Sequence, residues 1–399
     1  MRIDKLAYIH IVTFLVFSNV AFFYLYPIYL ADMAVSQTSI GLIMGIYFIA
    51  SFITRPFVGK VIVRTGEKPV LVSGLVLIFV CSLLYHMVPG TVWGIYILRT
   101  FHGVGFSAFI AAVFSTIAKF APSKTKGRAF SYNSAAMLAA LGSVPLIGEY
   151  LMEKFDYPAI FHGGAAVTFL GFSLLVFTAK WEKMGAEHAS KIGYGPILRD
   201  RSFVFVLIAM IVFINAQATV LTYFPLYANT IGISAGLFLG GAFGLAITHR
   251  IFGAGILDKY RKLVIIRICF VLVGIGLMLF QKLNGEVFYM VSILLYGTGL
   301  GYIFPALNAL GAEQGTLDQK AGMMSLLTMV IDGGFILGTI FSGGLSDMIG
   351  LSHTFFFTGG VSLLGFWVMV FAPIWEGDAL VEHGRTDRVF TTKNTKSTK

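Results

Sequence analysis

The sequence predicts an all-α, polytopic membrane protein whose twelve transmembrane helices form two six-helix bundles. Hydrophobic residues make up 57% of the 399 residues and charged residues only 12%, about half the charge of a soluble domain. The apolar runs are continuous and lack the period-two alternation of a transmembrane β-barrel. No polar interval is long enough for a soluble enzyme domain, and the low charge excludes intrinsic disorder.

Twelve segments satisfy the requirement of about 20 mostly apolar residues for a spanning helix. The first is expected to remain in the protein, because it is too long for a signal-peptide core and lacks a small-residue cleavage site. The predicted spans are 7–31, 38–60, 69–88, 91–119, 129–152, 157–180, 203–230, 234–257, 263–281, 285–312, 321–348 and 353–375.

The net charge of +10 does not indicate nucleic-acid binding, because Lys and Arg lie in short loops between apolar spans. Loops 60–68, 119–128, 180–201 and 258–267 are basic, whereas the opposite loops hold only Lys154 and Lys282. Positive loops face the cytoplasm. The bias therefore predicts a multi-pass plasma-membrane protein with both termini cytoplasmic, and the absence of any Asn-x-Ser/Thr acceptor favours a bacterial inner membrane.

A polar stretch divides the spans into six and six. It predicts an N-terminal bundle over 1–180, a cytoplasmic linker over 181–202 and a C-terminal bundle over 203–375. The polar segment 376–399 is interpreted as a disordered cytoplasmic tail.

The two halves repeat each other, and an even number of spans gives both the same orientation. Such parallel repeats place a binding site between the halves, near mid-membrane. The recurring elements are Tyr26-Pro27-Ile28-Tyr29 with Phe224-Pro225-Leu226-Tyr227, Gly41, Gly45, Phe48 and Arg55 with Gly236, Gly240, Phe243 and Arg250, and Gly103 and Gly105 with Gly297 and Gly299.

Over roughly 1–380 the chain resembles a major facilitator superfamily transporter. The loop signature between spans 2 and 3 runs from Gly59 to Lys68, the span 4 signature is Arg99 with Gly103 and Gly105, and 255–262 echoes the loop in the second half. The resemblance implies the major facilitator fold and alternating access. It also implies gating loops containing Gly59, Arg64, Gly66, Lys68, Asp258, Lys259 and Arg261.

The chain departs from the family pattern in two places. Val63 stands where the first loop usually has an acid, and Glu67 where it has a base, which argues against an electrostatic latch there. In span 5, Val144-Pro145-Leu146-Ile147-Gly148-Glu149 keeps the Pro and one Gly of the exporter signature but ends in Glu. The pattern is nevertheless most similar to drug:proton antiporters.

Three intramembrane ionisable residues are candidates for proton coupling, because charges are costly in a bilayer. Arg99 stays charged and can bias a nearby acid or a substrate carboxylate, a coupling role that the resemblance also implies; the alternative is a structural Arg bonded to span 1 carbonyls. Asp332, followed by two glycines, can bind and release a proton or be a buried hydrogen-bonded acid. Glu149 is either a proton acceptor in the outer vestibule or a solvated helix end.

In this superfamily spans 1, 4, 7 and 10 line the central path, and their mid-span side chains are mostly apolar with a few polar points. That composition suits an amphipathic substrate, although the alternative for each Asn is a helix–helix hydrogen bond. Cavity candidates are Asn19, Phe23, His102, Phe106, Phe109, Asn215, Thr219, Thr222, Tyr302 and Asn308.

No phosphate-binding loop or metal-ligand cluster occurs in the sequence, so no cofactor is expected and the energy is expected to come from an ion or substrate gradient, with a proton gradient favoured. The favoured hypothesis is export of a small amphipathic compound by proton antiport. The alternatives are proton-coupled uptake of a small organic anion with Arg99 as carboxylate ligand, lipid translocation, or a non-transporting sensor; an enzyme is the least favoured class. The expected partners are the substrate and the bilayer, without nucleic acid, and a monomer suffices because one unit encloses its pathway.

Overall fold

The computed structural model describes residues 5–88, 92–121, 126–178, 194–314 and 320–374. Within these residues it contains twelve helices long and apolar enough to cross a membrane, which confirms the predicted fold class. Span 1 consists of helices Lys5–Phe23 and Tyr26–Asp32. Spans 2 to 12 are Gln37–Thr65, Glu67–Leu84, Val92–Phe120, Lys126–Phe155, Pro158–Thr178, Arg201–Thr230, Ala235–Phe252, Lys262–Met278, Glu286–Glu313, Lys320–Ile349 and Leu351–Val370.

Short helices flank some of the spans. They are the α-helices Tyr194–Leu198 and Ala254–Lys259 and the 3₁₀ turns Tyr85–Met87 and Leu279–Lys282. Part of the predicted linker, 181–193, and the predicted tail, 376–399, lie outside the described residues.

Local sequence explains several helix boundaries. The hydroxyls of Ser36 and Ser234 accept hydrogen bonds from the backbone amides of Ser39 and Leu237, and so cap the starts of spans 2 and 8. Gly66 separates spans 2 and 3 with a φ of 87° and a ψ of 171°, a conformation open essentially to glycine alone.

Two junctions join the N-terminal and C-terminal bundles: span 2 packs along span 11, and span 5 packs along span 8. Glycine makes both approaches close. A methyl group on Gly41 would lie 2.5 Å from the carbonyl oxygen of Thr339, and one on Gly236 would lie 2.5 Å from the amide nitrogen of Leu146. Because Gly41 and Gly236 are repeat-equivalent, the two junctions share one packing solution.

Twelve crossings return the chain to the end of the bundle at which it began. We call this the terminal end, which also carries the turn at Gly66. The opposite end, with the turns at 33–36 and 231–234, is the distal end.

Candidate transport site

Three residues on successive turns of span 2 contact Arg99 of span 4 and Asp332 of span 11. Tyr47, Ser51 and Arg55 follow one another at intervals of four, so they lie along one side of the helix. The Tyr47 ring contacts Arg99 of span 4, whereas Ser51 and Arg55 both contact Asp332 of span 11. Span 2 therefore touches two of the three sequence-predicted intramembrane charges, Arg99 and Asp332.

Arg99 is 2% exposed and bonded mainly to span 2. Its Nε donates to the carbonyl oxygen of Ile43 at 3.3 Å, and its Nη2 donates to the sulfur of Met44 at 3.0 Å. The guanidinium carbon lies 4.9 Å from the centre of the Tyr47 ring and 5.6 Å from that of Phe23. No carboxylate of the described residues lies within ion-pair distance, so Arg99 and Asp332 are not partners.

His102 is fixed by a hydrogen-bond chain. Ser82 Oγ donates to the carbonyl oxygen of Ile78, so it must accept from Asn19 Nδ2, which also donates to the Gly164 carbonyl. Asn19 Oδ1 therefore faces His102 Nε2, at 3.1 Å, and that nitrogen must carry the hydrogen. The remaining nitrogen of a neutral His102, Nδ1, is then an acceptor, and it is buried without a partner.

A small cavity of about 10 Å³ is lined by Arg99 and His102 together with the rings of Phe23, Tyr47 and Phe48. That volume is about what one water molecule needs. The Phe48 ring stacks on Phe335 of span 11 with centroids 4.3 Å apart, so the C-terminal bundle closes one wall.

Asp332 is also buried and bridges the two bundles. Its Oδ2 lies 2.6 Å from Arg55 Nη2 and accepts a hydrogen bond from Ser51 Oγ at 3.2 Å. Arg55 Nη1 also donates to the carbonyl oxygen of Thr328 at 3.4 Å. Sequence reasoning noted Arg55 only as a repeated residue; its signal was a second arginine inside an apolar span.

Glu149 is tied to the other bundle rather than simply solvated. Its Oε1 accepts from the amide of Gly236 at 3.0 Å and its Oε2 accepts from Ser234 Oγ at 2.5 Å, both at the start of span 8. It borders a vestibule of about 370 Å³ at the distal end.

Asp347 makes the corresponding contact at the other junction. Its carboxylate accepts from the amides of Gln37 and Thr38, at 2.9 and 2.8 Å, and from Thr38 Oγ1 at 2.5 Å, at the start of span 2. Sequence reasoning noted Asp347 only as the last residue of Gly343-Gly344-Leu345-Ser346-Asp347, an echo of the family's loop signature, and assigned it no role. Each distal carboxylate thus caps a helix of the opposite bundle, where the helix dipole favours negative charge.

The cavity candidates divide between the two bundles. Phe23 and His102 line the cavity with Arg99, with their rings 4.9 Å apart. Asn19 and Phe106 lie behind them: Asn19 bonds His102, and the Phe106 ring lies 5.3 Å from that of Tyr47. Phe109 is fully buried, and its backbone amide lies close to Gly74 of span 3.

The candidates of spans 7 and 10 do not form one cluster. Thr219 shares a hydrogen bond of 2.7 Å with Ser342 of span 11, whereas Thr222 Oγ1 is buried without a partner. Tyr302 faces His249, and the Asn308 amide donates within its own helix to the Phe304 carbonyl. Asn215 uses its backbone carbonyl to accept from Thr219.

The predicted loop between spans 2 and 3 is almost entirely helical: Gly59 and Arg64 belong to span 2, only Gly66 lies between the helices, and Glu67 begins span 3. The charged contact of Glu67 lies inside the N-terminal bundle. Lys119 Nζ of span 4 lies 3.3 Å from the Glu67 carboxylate, which also accepts from Ser115 Oγ. Arg64 is exposed, and a side chain at Gly59 would meet open space. The predicted gating residue Asp258 has its side chain outside the described set.

Comparison with known proteins places the chain in a family. A family model described as Major Facilitator Superfamily matches residues 6–316. An uncharacterized MFS-type transporter of Methanocaldococcus jannaschii is 26% identical over 84% of this chain and 89% of its own. Multidrug resistance protein 1 of Bacillus subtilis is 25% identical over 83% and 86%.

The fold is also that of a solved transporter. The crystal structure of a mutant of the nucleoside transporter NupG matches with a TM-score of 0.78 at 13% identity, covering 92% of this chain and 99% of the other. The chain therefore belongs to the major facilitator superfamily, as a multi-pass membrane transporter rather than an enzyme.

Proposed function

We propose that the protein exports a small amphipathic compound by proton antiport, with the two bundles opening alternately to each side of a plasma membrane. The observation that carries the proposal is the ion pair between buried Asp332 and partly buried Arg55, which joins the bundles across the junction of spans 2 and 11. A carboxylate in this position links proton binding to the docking of the bundles.

The link is electrostatic. Ionised Asp332 attracts Arg55 in a medium that screens charge poorly. Protonation removes that attraction and leaves the Arg55 guanidinium with Ser51 Oγ and the Thr328 carbonyl as partners. Binding linkage is reciprocal, so separation of spans 2 and 11 in turn favours uptake of a proton.

Alternating access requires that both ends cannot open together. The distal caps made by Glu149 and Asp347 hold the bundles together at one end. A transport cycle exchanges these contacts for contacts at the terminal end. We assign the terminal end to the cytoplasm, because its loops carry most of the Lys and Arg.

Export is favoured over uptake by the partial span 5 exporter signature and by the similarity to a relative named for multidrug resistance. Uptake of an organic anion by symport is the second candidate, supported by Arg99, which has no carboxylate partner among the described residues. The sign of the proton flux that a substrate induces separates the two.

The test uses purified protein in liposomes with an imposed pH gradient and an internal pH dye. Lipophilic cations, antibiotics and small organic acids are added singly to wild type, Asp332→Asn and Glu286→Gln, the last a control acid that is exposed at the start of span 10. We expect a transported compound to dissipate the gradient in wild type and control, at least tenfold faster than in Asp332→Asn.

A second measurement separates loss of coupling from loss of folding. Asp332→Asn should retain exchange of labelled for unlabelled compound when no gradient is present. Gradient-driven transport that is unchanged in Asp332→Asn would overturn the assigned role of Asp332, and proton flux in the same direction as the compound would replace antiport by symport.

A further inference from the structure

We propose that Arg99, Tyr47 and His102 form a subsite, inside the N-terminal bundle, for the carboxylate of an organic acid with an apolar body. The inference rests on the proposed transport function and names the substrate class that this part of the path would take.

The first argument is an uncompensated charge. Arg99 presents five N–H donors on a group that stays ionised, and it is 2% exposed. Its partners are one carbonyl oxygen, the weakly accepting sulfur of Met44 and two ring faces. Within the described parts of the chain no acid neutralises it, so the missing counter-charge is anionic.

The second argument is the pair of polar atoms beside that charge. Tyr47 Oη and His102 Nδ1 are both buried and without hydrogen-bond partners, and both residues line the cavity under Arg99. Buried polar atoms are normally paired. The Tyr47 hydroxyl can donate to an anionic oxygen alongside Arg99, and His102 Nδ1 can accept from a donor next to it.

Together Arg99, Tyr47 and His102 indicate which polar group of the ligand the subsite would bind. Both donors border one cavity, and a guanidinium engages a planar anion with two parallel hydrogen bonds, which is the geometry of a carboxylate. The acceptor on His102 favours a hydroxyl on the neighbouring carbon. The rings of Phe23 and Phe106 supply the apolar surface for the rest of the molecule.

The small size of the cavity means that the subsite must open before such a ligand can enter. With room for about one water it cannot hold an organic acid in this conformation. One wall is Phe48, held by its stack on Phe335 of the other bundle. The same separation of spans 2 and 11 that breaks the Arg55–Asp332 pair removes that stack, so the subsite opens when the proton site does.

The repeat supplies a matched control. Gly103 recurs as Gly297, so the counterparts of Arg99 and His102 in the second half are Ile293 and Tyr296. Tyr296 Oη is, like Tyr47 Oη, buried without a partner, but it has no arginine at the equivalent place. Tyr296→Phe thus removes a comparable buried hydroxyl from the C-terminal bundle, which lacks the proposed subsite.

The experiment is calorimetric titration of the detergent-purified full chain. The probes are 3-phenylpropanoate, its neutral amide, the cation 3-phenylpropylammonium and 3-phenyllactate, which adds a hydroxyl beside the carboxylate. We expect wild type to bind the carboxylate at least tenfold more tightly than the amide or the cation, and 3-phenyllactate more tightly still.

The variants assign the contacts. Arg99→Gln should lower carboxylate affinity at least tenfold, Arg99→Lys by less because charge is kept, and Tyr47→Phe about threefold, whereas Tyr296→Phe leaves it unchanged. His102→Leu should abolish the preference for 3-phenyllactate. Melting curves and gel filtration of each variant exclude misfolding as the cause.

Equal affinity for carboxylate and amide, preference for the cation, or full carboxylate affinity in Arg99→Gln would overturn the subsite. Such a result, combined with proton antiport of another compound that needs Asp332, would leave the proposed function standing. Carboxylate binding as described, without any proton flux in liposomes, would leave the subsite standing and remove the antiport mechanism.

Discussion

The junction of spans 2 and 11 and the junction of spans 5 and 8 are built alike at the distal end and differently inside the membrane. Both have a glycine at the close approach and a carboxylate capping the opposite helix. Inside the membrane, Arg55 meets the Asp332 carboxylate, whereas its repeat-equivalent Arg250 donates to Ser134 Oγ at 2.5 Å and to the Gly301 carbonyl at 3.3 Å.

The difference shows which contacts close the molecule and which respond to protons. The close approach at a glycine and the helix-capping carboxylate occur at both junctions, because both junctions must pack together whenever the distal end closes. Arg250 lies over the Phe304 ring and beside a hydroxyl, and neither changes charge near neutral pH. Of the two arginine contacts, only Arg55 with Asp332 can lose a charge.

The largest effect is expected from breaking the charged contact on one side only. Asp332→Leu leaves the partly buried Arg55 charged and without a carboxylate, which should lower the free energy of unfolding by about 3 kcal/mol, the lower end of the range for a fully buried pair. Adding Arg55→Met should restore most of that loss, since no unpaired charge remains. Unfolding titrations in detergent measure both.

Ser134→Ala is the control for this experiment, because it removes a neutral hydrogen-bond partner and should cost about 1 kcal/mol. Equal losses for Ser134→Ala and Asp332→Leu would remove the distinction between the junctions.

The turn after span 2 and its counterpart after span 8 should differ next most. Gly66 has a φ of 87° whereas Arg261, at the repeat-equivalent place, has a φ of −60°. Gly66→Ala should cost about 1–3 kcal/mol of stability from backbone strain, and Arg261→Ala should cost no backbone strain. The same unfolding titration checks both variants. A Gly66→Ala variant as stable as the wild type would contradict the claim that the backbone at Gly66 disfavours a side chain.

Giving the second junction a carboxylate should make it behave like the first. Ser134→Asp places an acid beside Arg250 and should favour the docked bundles by about 1 kcal/mol, roughly fivefold in population. That gain should disappear as the pH falls, because protonation removes the attraction. Spin-label distances between spans 5 and 8 report it, and a gain independent of pH would show that charge is not the cause.

The distal caps should give the smallest and most equal effects. Glu149→Gln and Asp347→Asn each keep an acceptor but lose a charge at a helix start, and each should weaken distal closure by about 1 kcal/mol. Labelling of a cysteine at Asn229, which lines the distal vestibule, measures opening. Native Cys81 and Cys269 are buried, so the background is low. Labelling rates that differ more than threefold between Glu149→Gln and Asp347→Asn would contradict the equivalence of the two caps.

Sequence alone was enough for the twelve spans and the family, because hydropathy, loop charge and the repeat are local or periodic signals. The sequence did not predict which side chains the buried charged residues contact. Asp332 was identified, but its pairing with Arg55 joins positions 277 residues apart in the chain (332 − 55) and depends on how two helices pack. The alternative interpretation of Arg99 had it bonded to span 1 carbonyls; it bonds a carbonyl of span 2 instead, a choice that only the crossing of spans 2 and 4 decides.

Glu149 illustrates the same limit. Its sequence position identified it as a residue at the end of span 5, but whether such an acid is solvated or caps another helix depends on the neighbour opposite. The proposed roles of Arg99, Asp332 and Glu149 in coupling remain predictions that the experiments above address.

The depth of Asp332 makes the proposed coupling sensitive to voltage. It lies twelve residues into span 11, Lys320–Ile349 (332 − 320), about 18 Å from the terminal end of that helix. A proton arriving from the distal end therefore crosses a large part of the membrane's electric field before it reaches the carboxylate. Since a full charge gains about 2.3 kcal/mol per 100 mV, an electrical gradient alone shifts the occupancy of Asp332, and a cell could drive this transporter when the pH is equal on both sides.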